Sequence, residues 1–225
     1  MRILLLGHGR MGQLVESLAP SYGASVAGVI DEHSAQRAIA DGTFGDVDVA
    51  IDFTLADAVP KNLPQLAQRK INVVIGTTGW QAHEVEMKII AKQAGIGVLA
   101  ASNFSLGMNV FQLAVEEASR QFAKHPEFGA WIHESHHTMK KDAPSGTALT
   151  IKAGMERAGY DRPIDVSSTR AGSVPGTHTV GFDGPSETIE FTHTVRDRAV
   201  FARGALSAAK WLIGKQGWFS LRDML

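Results

Sequence analysis

Arg2-Ile3-Leu4-Leu5-Leu6-Gly7-His8-Gly9-Arg10-Met11-Gly12 opens the chain with an apolar run that stops at glycines. Four successive apolar residues, Ile3 to Leu6, fall far short of the roughly 20 that a membrane-spanning helix takes, and of the apolar core of a secretory leader. They read as a buried strand. Past the glycines, Met11, Leu14, Val15 and Leu18 recur at helical spacing, so strand, tight turn and helix follow directly. G-x-G-x-x-G in that setting is a dinucleotide fingerprint. Gly7 serves the turn, Gly9 lets the backbone approach a diphosphate, and Gly12 lets the helix approach the sheet. The bare amides of the helix start favour an anion, and Arg10 adds a cation. Gly7, His8, Gly9, Arg10, Met11 and Gly12 are therefore the expected cofactor loop.

The next apolar run, Ser25–Ile30, ends at Asp31, 19 residues beyond Gly12. A carboxylate there accepts hydrogen bonds from a ribose 2′-hydroxyl and repels a 2′-phosphate, so the expected cofactor is NADH or NADPH with NADH favoured. His33 and Arg37 lie close enough in sequence to soften that preference. The alternation continues with strands at 47–53, 71–75 and 97–101 and helices at 61–69 and 84–94, the last with Val85, Ile89 and the Lys92 stem along one side. Strands alternating with helices over the first hundred residues predict a parallel, doubly wound α/β sheet.

After Ser105 the texture changes. A helix at 108–122 is followed by candidate strands at 130–137, 166–171, 177–182 and 187–195, interrupted by one helical stretch at 147–158. In the last strand Ile189, Phe191, His193 and Val195 alternate with Thr188, Glu190, Thr192 and Thr194. A second, smaller α+β domain with an open mixed or antiparallel sheet fits, and its uncovered face suits an interface between copies of the chain. Helical spacing of Ala205, Ala208, Ala209 and Leu212 predicts a helix at 204–213 that returns to the first domain. The expected division is 1–105 with 204–225, and 106–203.

Of 225 residues, 44% are hydrophobic and 20% charged, and the net charge of −1 gives no general pull toward nucleic acid or an anionic membrane. Cysteine is absent from the sequence, which removes disulfides and thiolate chemistry and makes the cytoplasm the expected compartment.

The densest chemistry lies at Glu134-Ser135-His136-His137-Thr138-Met139-Lys140-Lys141-Asp142-Ala143-Pro144-Ser145-Gly146-Thr147-Ala148. If 130–137 is extended, His136 shares a face with Ile132 and Glu134, and His137 the other with Trp131 and His133. The two histidines then do different work: one can donate a proton near neutral pH while the other binds a substrate group. Pro144 disfavours helix at Ala143, and Ser145-Gly146-Thr147 start a helix whose free amides seat an anion. A metal site using His133, His136, His137, His178 or His193 has no H-E-x-x-H or carboxylate-rich spacing behind it, so no metal is expected.

With these motifs the chain resembles the dihydrodipicolinate reductase family, also called 4-hydroxy-tetrahydrodipicolinate reductases, over nearly its whole length. The E-x-H-H-x-x-K-x-D-A-P-S-G-T-A signature at Glu134 to Ala148 is the most specific element. Gly7 to Gly12, Asp52-Phe53-Thr54, Ile75-Gly76-Thr77-Thr78-Gly79 and Asn103-Phe104-Ser105 accompany it. The resemblance implies a Rossmann-like cofactor domain and NAD(P)H-dependent reduction of 4-hydroxy-tetrahydrodipicolinate to tetrahydrodipicolinate, in the diaminopimelate route to lysine. It implies His136 as the acid-base residue and Lys140 as a second proton donor. His137, Ser145, Gly146 and Thr147 become the seat of a small dicarboxylate. Gly76, Thr77, Thr78, Ala101, Ser102, Asn103 and Phe104 line the nicotinamide side, and the assembly is a homotetramer. Lys141 stands where family members often carry an apolar residue, and the segment from Asp31 to Asp46 is shorter than in the longer members.

Overall fold

The computed structural model describes residues 1–31, 37–42 and 44–225, with only the backbone described at 37 and 38. Expectations placed on His33 and on the Arg37 side chain lie outside the described residues. The chain divides into two compact units, Met1–Leu106 with Ala199–Leu225, and Gly107–Arg198.

In the first unit the described residues form a six-stranded sheet of β1 (Arg2–Leu6), β2 (Ser25–Ile30), β3 (Val49–Asp52), β4 (Asn72–Ile75), β5 (Gly97–Ala100) and β10 (Gly217–Phe219). The order is β10-β5-β4-β3-β1-β2, and every pairing is parallel. Helices α1 (Arg10–Leu18), α2 (Arg37–Asp41), α3 (Val59–Gln68), α4 (Glu84–Ala94) and α7 (Ala199–Leu212) belong to the same unit.

Both faces of this sheet are covered, which explains why its strands read as unbroken apolar runs. Leu4, Leu6, Ala50, Val73 and Ile75 point toward Leu63 and Leu66 of α3 and Met87 and Ala91 of α4. Ile3, Leu5, Val49, Ile51 and Val74 point toward Val15 of α1 and Ala202, Ala205, Leu206 and Ala209 of α7. Each fully buried Leu or Ile contributes about 1.5–3 kcal/mol, so β1 alone anchors much of the unit.

Helix α7 departs from its expected bounds, and α4 and β10 add what the sequence reading leaves open. Helix α4 buries Met87 and Ala91, while Val85 and Ile89 are exposed, because α3 packs against the other side. Helix α7 begins at Ala199 rather than Gly204. Gly204 lies inside it, where a Cβ would stand 1.7 Å from the carbonyl oxygen of Phe104, so the glycine serves close packing rather than a helix start. The edge strand β10, three residues long, is too short to show a period. Pro60 sits in the first turn of α3, where its missing N–H costs no hydrogen bond.

The second unit contains α5 (Leu106–Phe122), which begins on the last residue of the first, then β6 (Gly129–His136), α6 (Gly146–Arg157), β7 (Ile164–Arg170), β8 (Thr177–Asp183) and β9 (Thr188–Thr194). The sheet order is β7-β6-β8-β9. Strands β6 and β7 are parallel and joined through α6, whereas β8 and β9 are antiparallel, so the sheet is mixed. One face packs Ile132, Val180 and Phe182 onto Phe111 and Val115 of α5 and Ile151 and Met155 of α6. The other carries polar ladders, Thr179 to Thr192 at 3.1 Å and His133 to Ser167 at 2.9 Å. Among the described residues, no helix is long and apolar enough to cross a membrane.

Candidate active site

In the first unit, the C-terminal ends of β1 and β3 lie side by side where the strand order reverses, the usual place for a ligand in such a sheet. Gly7 has φ +86°, and a Cβ on Gly12 would stand 2.1 Å from the Gly7 carbonyl oxygen. Only glycine lets α1 start this close to the turn. Gly9 caps α1 without a side-chain hydrogen bond, and a Cβ there would meet nothing within 4 Å. Bare first-turn amides facing open space fit a dinucleotide diphosphate.

The other residues of that loop play distinct parts. His8 turns its Nε2 to Glu16 at 2.7 Å, Arg10 is exposed, and Met11 packs against the core, leaving its backbone amide for a ligand. Asp31 follows β2 directly, and Ile30 pairs with Leu6 and accepts the Gly7 amide at 2.7 Å, so residue 31 adjoins the glycine turn.

At the ends of β4 and β5, Thr77, Ala101 and Ser102 line a cavity of about 360 Å³ with Trp80, Trp218 and Phe219. Thr78 is exposed beside it, and Gly76 packs against the Phe53 ring. Asn103 Oδ1 accepts the Ser105 amide at 2.9 Å, bracing the turn, and Phe104 meets Phe53 edge-on at 6.1 Å. Buried Asp52 ties these loops together. It accepts from the Thr54 amide at 2.9 Å, the Asn62 amide group at 3.2 Å and the Thr77 hydroxyl at 3.0 Å.

The second unit holds a charged cluster at the end of β6. Glu134 is fully buried. Arg170 donates to it through two nitrogens at 2.9 and 2.7 Å, the Ser145 amide donates at 3.2 Å, and His136 Nδ1 pairs with its Oε2. Burial alone raises the Glu134 pKa, but hydrogen bonds from Arg170, Ser168 and His136 outweigh it and hold the carboxyl at about 2. Glu134 is thus a fixed anion.

The His136 pKa is lowered as well, which for an imidazole favours the neutral form. Burial lowers its pKa, Glu134 opposes that shift, and the charges of Lys140 and Arg170 reinforce it. With Nδ1 committed to Glu134, Nε2 is the nitrogen left to exchange a proton. A Cβ at Gly176, whose φ is +150°, would lie 3.0 Å from that nitrogen, so glycine keeps the space beside it open. The His178 ring packs edge-on against His136 at 5.1 Å. Burial and the His136 charge push its pKa down to about 4, which makes it neutral at physiological pH.

Strand β6 stops at His136, so His137 opens a turn whose carbonyl accepts the Lys140 amide at 3.1 Å, and strand alternation does not reach it. Ser145 caps α6: its hydroxyl accepts the Ala148 amide at 3.2 Å and meets His178 Nε2 at 3.1 Å, so its polar atoms turn inward. Gly146 faces open space, Thr147 is half-buried beside it, and Lys141 is exposed.

The family profile described as dihydrodipicolinate reductase, N-terminus, matches residues 1–104, and the one described as dihydrodipicolinate reductase, C-terminus, matches residues 107–225. The chain belongs to the dihydrodipicolinate reductase family. The 4-hydroxy-tetrahydrodipicolinate reductase of Stenotrophomonas maltophilia strain R551-3 is 40% identical over 100% of this chain and 98% of its own. That of Christiangramia forsetii is 35% identical over the same shares, 100% and 98%. A solved dipicolinate-bound dihydrodipicolinate reductase from Paenisporosarcina sp. TG-14 superimposes with a TM-score of 0.85, covering 100% of this chain and 99% of that one at 19% identity, a likeness of fold.

Four residues of this dihydrodipicolinate reductase family member, not among the site residues expected from its sequence, organise the two clusters, Asp52 in the first unit and Glu134, Arg170 and His178 in the second. Glu134 and Arg170 orient His136, His178 backs it, and Asp52 fixes Thr77. Glu134 carries a local signal, two positions before His136 on one strand face, and Asp52 another in the Asp52-Phe53-Thr54 motif. Arg170 and His178 become neighbours only through strand pairing, opposite His136 and Glu134 respectively.

Proposed function

We propose that this chain reduces 4-hydroxy-tetrahydrodipicolinate to tetrahydrodipicolinate, with His136 as the proton donor and Lys140 and the α6 start as the carboxylate seat. The observation that carries the assignment of roles is the Glu134-His136 pair: a fixed buried anion holds one ring nitrogen and leaves the other beside open space. The reaction loses the ring hydroxyl as water and adds one hydride and one proton to the conjugated imine. Bound along Gly7 to Gly12, Thr77 and Ala101, a reduced nicotinamide dinucleotide supplies the hydride.

The chain's own part is the proton. A buried imidazolium flanked by two cations gives up its Nε2 proton readily, and Glu134 keeps the ring aimed while it does so. Lys140 and the amides after Ser145 hold a substrate carboxylate and stabilise charge as the ring reorganises. A dicarboxylate bound to the solved relative supports this substrate class. Asp31 favours NADH over NADPH, and the uncovered polar face of the second sheet suits assembly into a homotetramer.

Turnover of NADH and NADPH with the intermediate generated in place from pyruvate and aspartate semialdehyde tests the reading. Wild-type turnover, with His136→Ala and Lys140→Ala each slower by roughly 10²- to 10⁴-fold, is expected. Asp31→Ser raises the NADPH-to-NADH ratio of kcat/KM by about tenfold, since one charge at the ribose is removed. Tight dinucleotide binding without turnover would refute the assigned reaction, and an unchanged ratio would remove Asp31 from the ribose.

A further inference from the structure

We propose that Asp142 is a resident carboxylate that occupies the substrate-carboxylate seat of the unliganded protein and must be displaced by the ligand's own carboxylate, so that it sets substrate affinity. This deepens the functional reading above and rests on it. Asp142 Oδ1 lies 2.8 Å from Lys140 Nζ, and Oδ2 accepts the Gly146 amide at 3.3 Å. One carboxylate thus takes the cation and the first helical amide of α6, the donors assigned to the substrate.

The geometry suits a group that leaves. Arg170 Nη2 donates to the Asp142 carbonyl at 2.6 Å, pinning the backbone, so only the side chain has to rotate. That side chain is 55% exposed, whereas Lys140 is 24% exposed, so the departing carboxylate is already half solvated while the ammonium it leaves is largely shielded. A Cβ at Gly146 would meet nothing within 4 Å, which leaves room beside the amide.

Helix α6 does not depend on Asp142 for its end. Ser145 caps it through the Ala148 amide at 3.2 Å, and the Ser145 carbonyl accepts the Leu149 amide at 3.1 Å. The Lys140 hydrogen bond lowers the Asp142 pKa, so the resident group is an anion at neutral pH. An anionic ligand therefore meets both a competitor for its donors and a like charge beside its site.

The experiment is calorimetric titration of pyridine-2,6-dicarboxylate into the full-length protein in the presence of NADH, for wild type, Asp142→Asn and Asp142→Ala, with melting temperatures and a kcat-against-KM split alongside. An exposed ion pair plus a helix-end contact corresponds to roughly three- to tenfold in affinity. Both variants are expected to bind the probe tighter by that factor and to show a lower KM, while their unliganded melting temperatures stay level or fall. Tighter ligand binding without a gain in stability is the signature, because a merely structural Asp142 would lower both. Wild-type binding and turnover with equal or weaker binding by the variants overturns the proposal alone. Wild type that neither binds the probe nor turns over the intermediate overturns the functional reading and this proposal with it.

Discussion

Around Gly7 and Gly12 the first unit presents backbone, held close by missing side chains, whereas around Glu134 the second unit presents ionisable side chains held by one another. A Cβ on Gly12 would meet the Gly7 carbonyl oxygen at 2.1 Å, so volume is the constraint there. At Glu134 two Arg170 nitrogens, the Ser145 amide and His136 surround one carboxylate, so charge is the constraint. The contrast follows from chemistry. A diphosphate is bound well by unclaimed amides and a helix dipole, but moving a proton requires groups whose affinity for it is tuned by burial and neighbours.

The largest expected effect tests the charge-built side. Glu134→Gln preserves volume but leaves Arg170 facing a neutral amide in the interior, and loss of a buried partner costs about 3–5 kcal/mol. Chemical denaturation at pH 7 should show a loss of that size, with the reductase rate falling while dinucleotide affinity stays within about twofold. A loss below about 1 kcal/mol would mean that Glu134 is not held as an anion.

A second test of the same side uses pH. His178 has its pKa lowered from 6.5 to about 4 in the fold, so the unfolded chain binds the extra proton first. Stability is therefore undiminished by this group above pH 6.5 and falls as the pH drops from 6.5 to about 4, after which the penalty is complete. The total is about 3 kcal/mol. Denaturation midpoints across that window should decline steeply in the wild type and less in His178→Gln. Glu134 acts in a lower window, because its depressed pKa contributes stability above 4.5 that is lost as the pH falls toward about 2.

On the volume-built side, Gly12→Ala should destabilise the first unit by about 1–3 kcal/mol, as overpacking does, and weaken dinucleotide binding. Conversely, Arg10→Gln changes charge without crowding the turn and should weaken binding by less than about tenfold, as an exposed cation at a phosphate does. If the charge change at Arg10 proved more damaging than the added methyl at Gly12, the contrast between the units would collapse.

The first unit is legible in the sequence because its signals are local. Apolar run and glycine delimit strand β1 to within one residue, and periodicity with a turn residue does the same for α1. The expected start of helix α7 falls five residues after the observed one because Gly204 looks like a boundary in one dimension. Its purpose, contact with the Phe104 carbonyl, depends on a residue a hundred positions away. Which side of α4 is buried is not legible locally, because the exposed Val85 and Ile89 are as apolar as Met87 and Ala91, which face the core.

By itself the sequence determined what depends on neighbours along the chain: the parallel α/β lobe, the glycine loop, the acidic end of β2 and the concentration of proton donors at Glu134 to Thr147. Tertiary structure alone decided how those donors are tuned. Strand β6 lies between β7 and β8, which sets His136 opposite Arg170 and Glu134 opposite His178, residues 34 and 44 positions away along the chain. A proton affinity is fixed by burial and by charges within a few ångströms, and those distances exist only once the strands are paired in register.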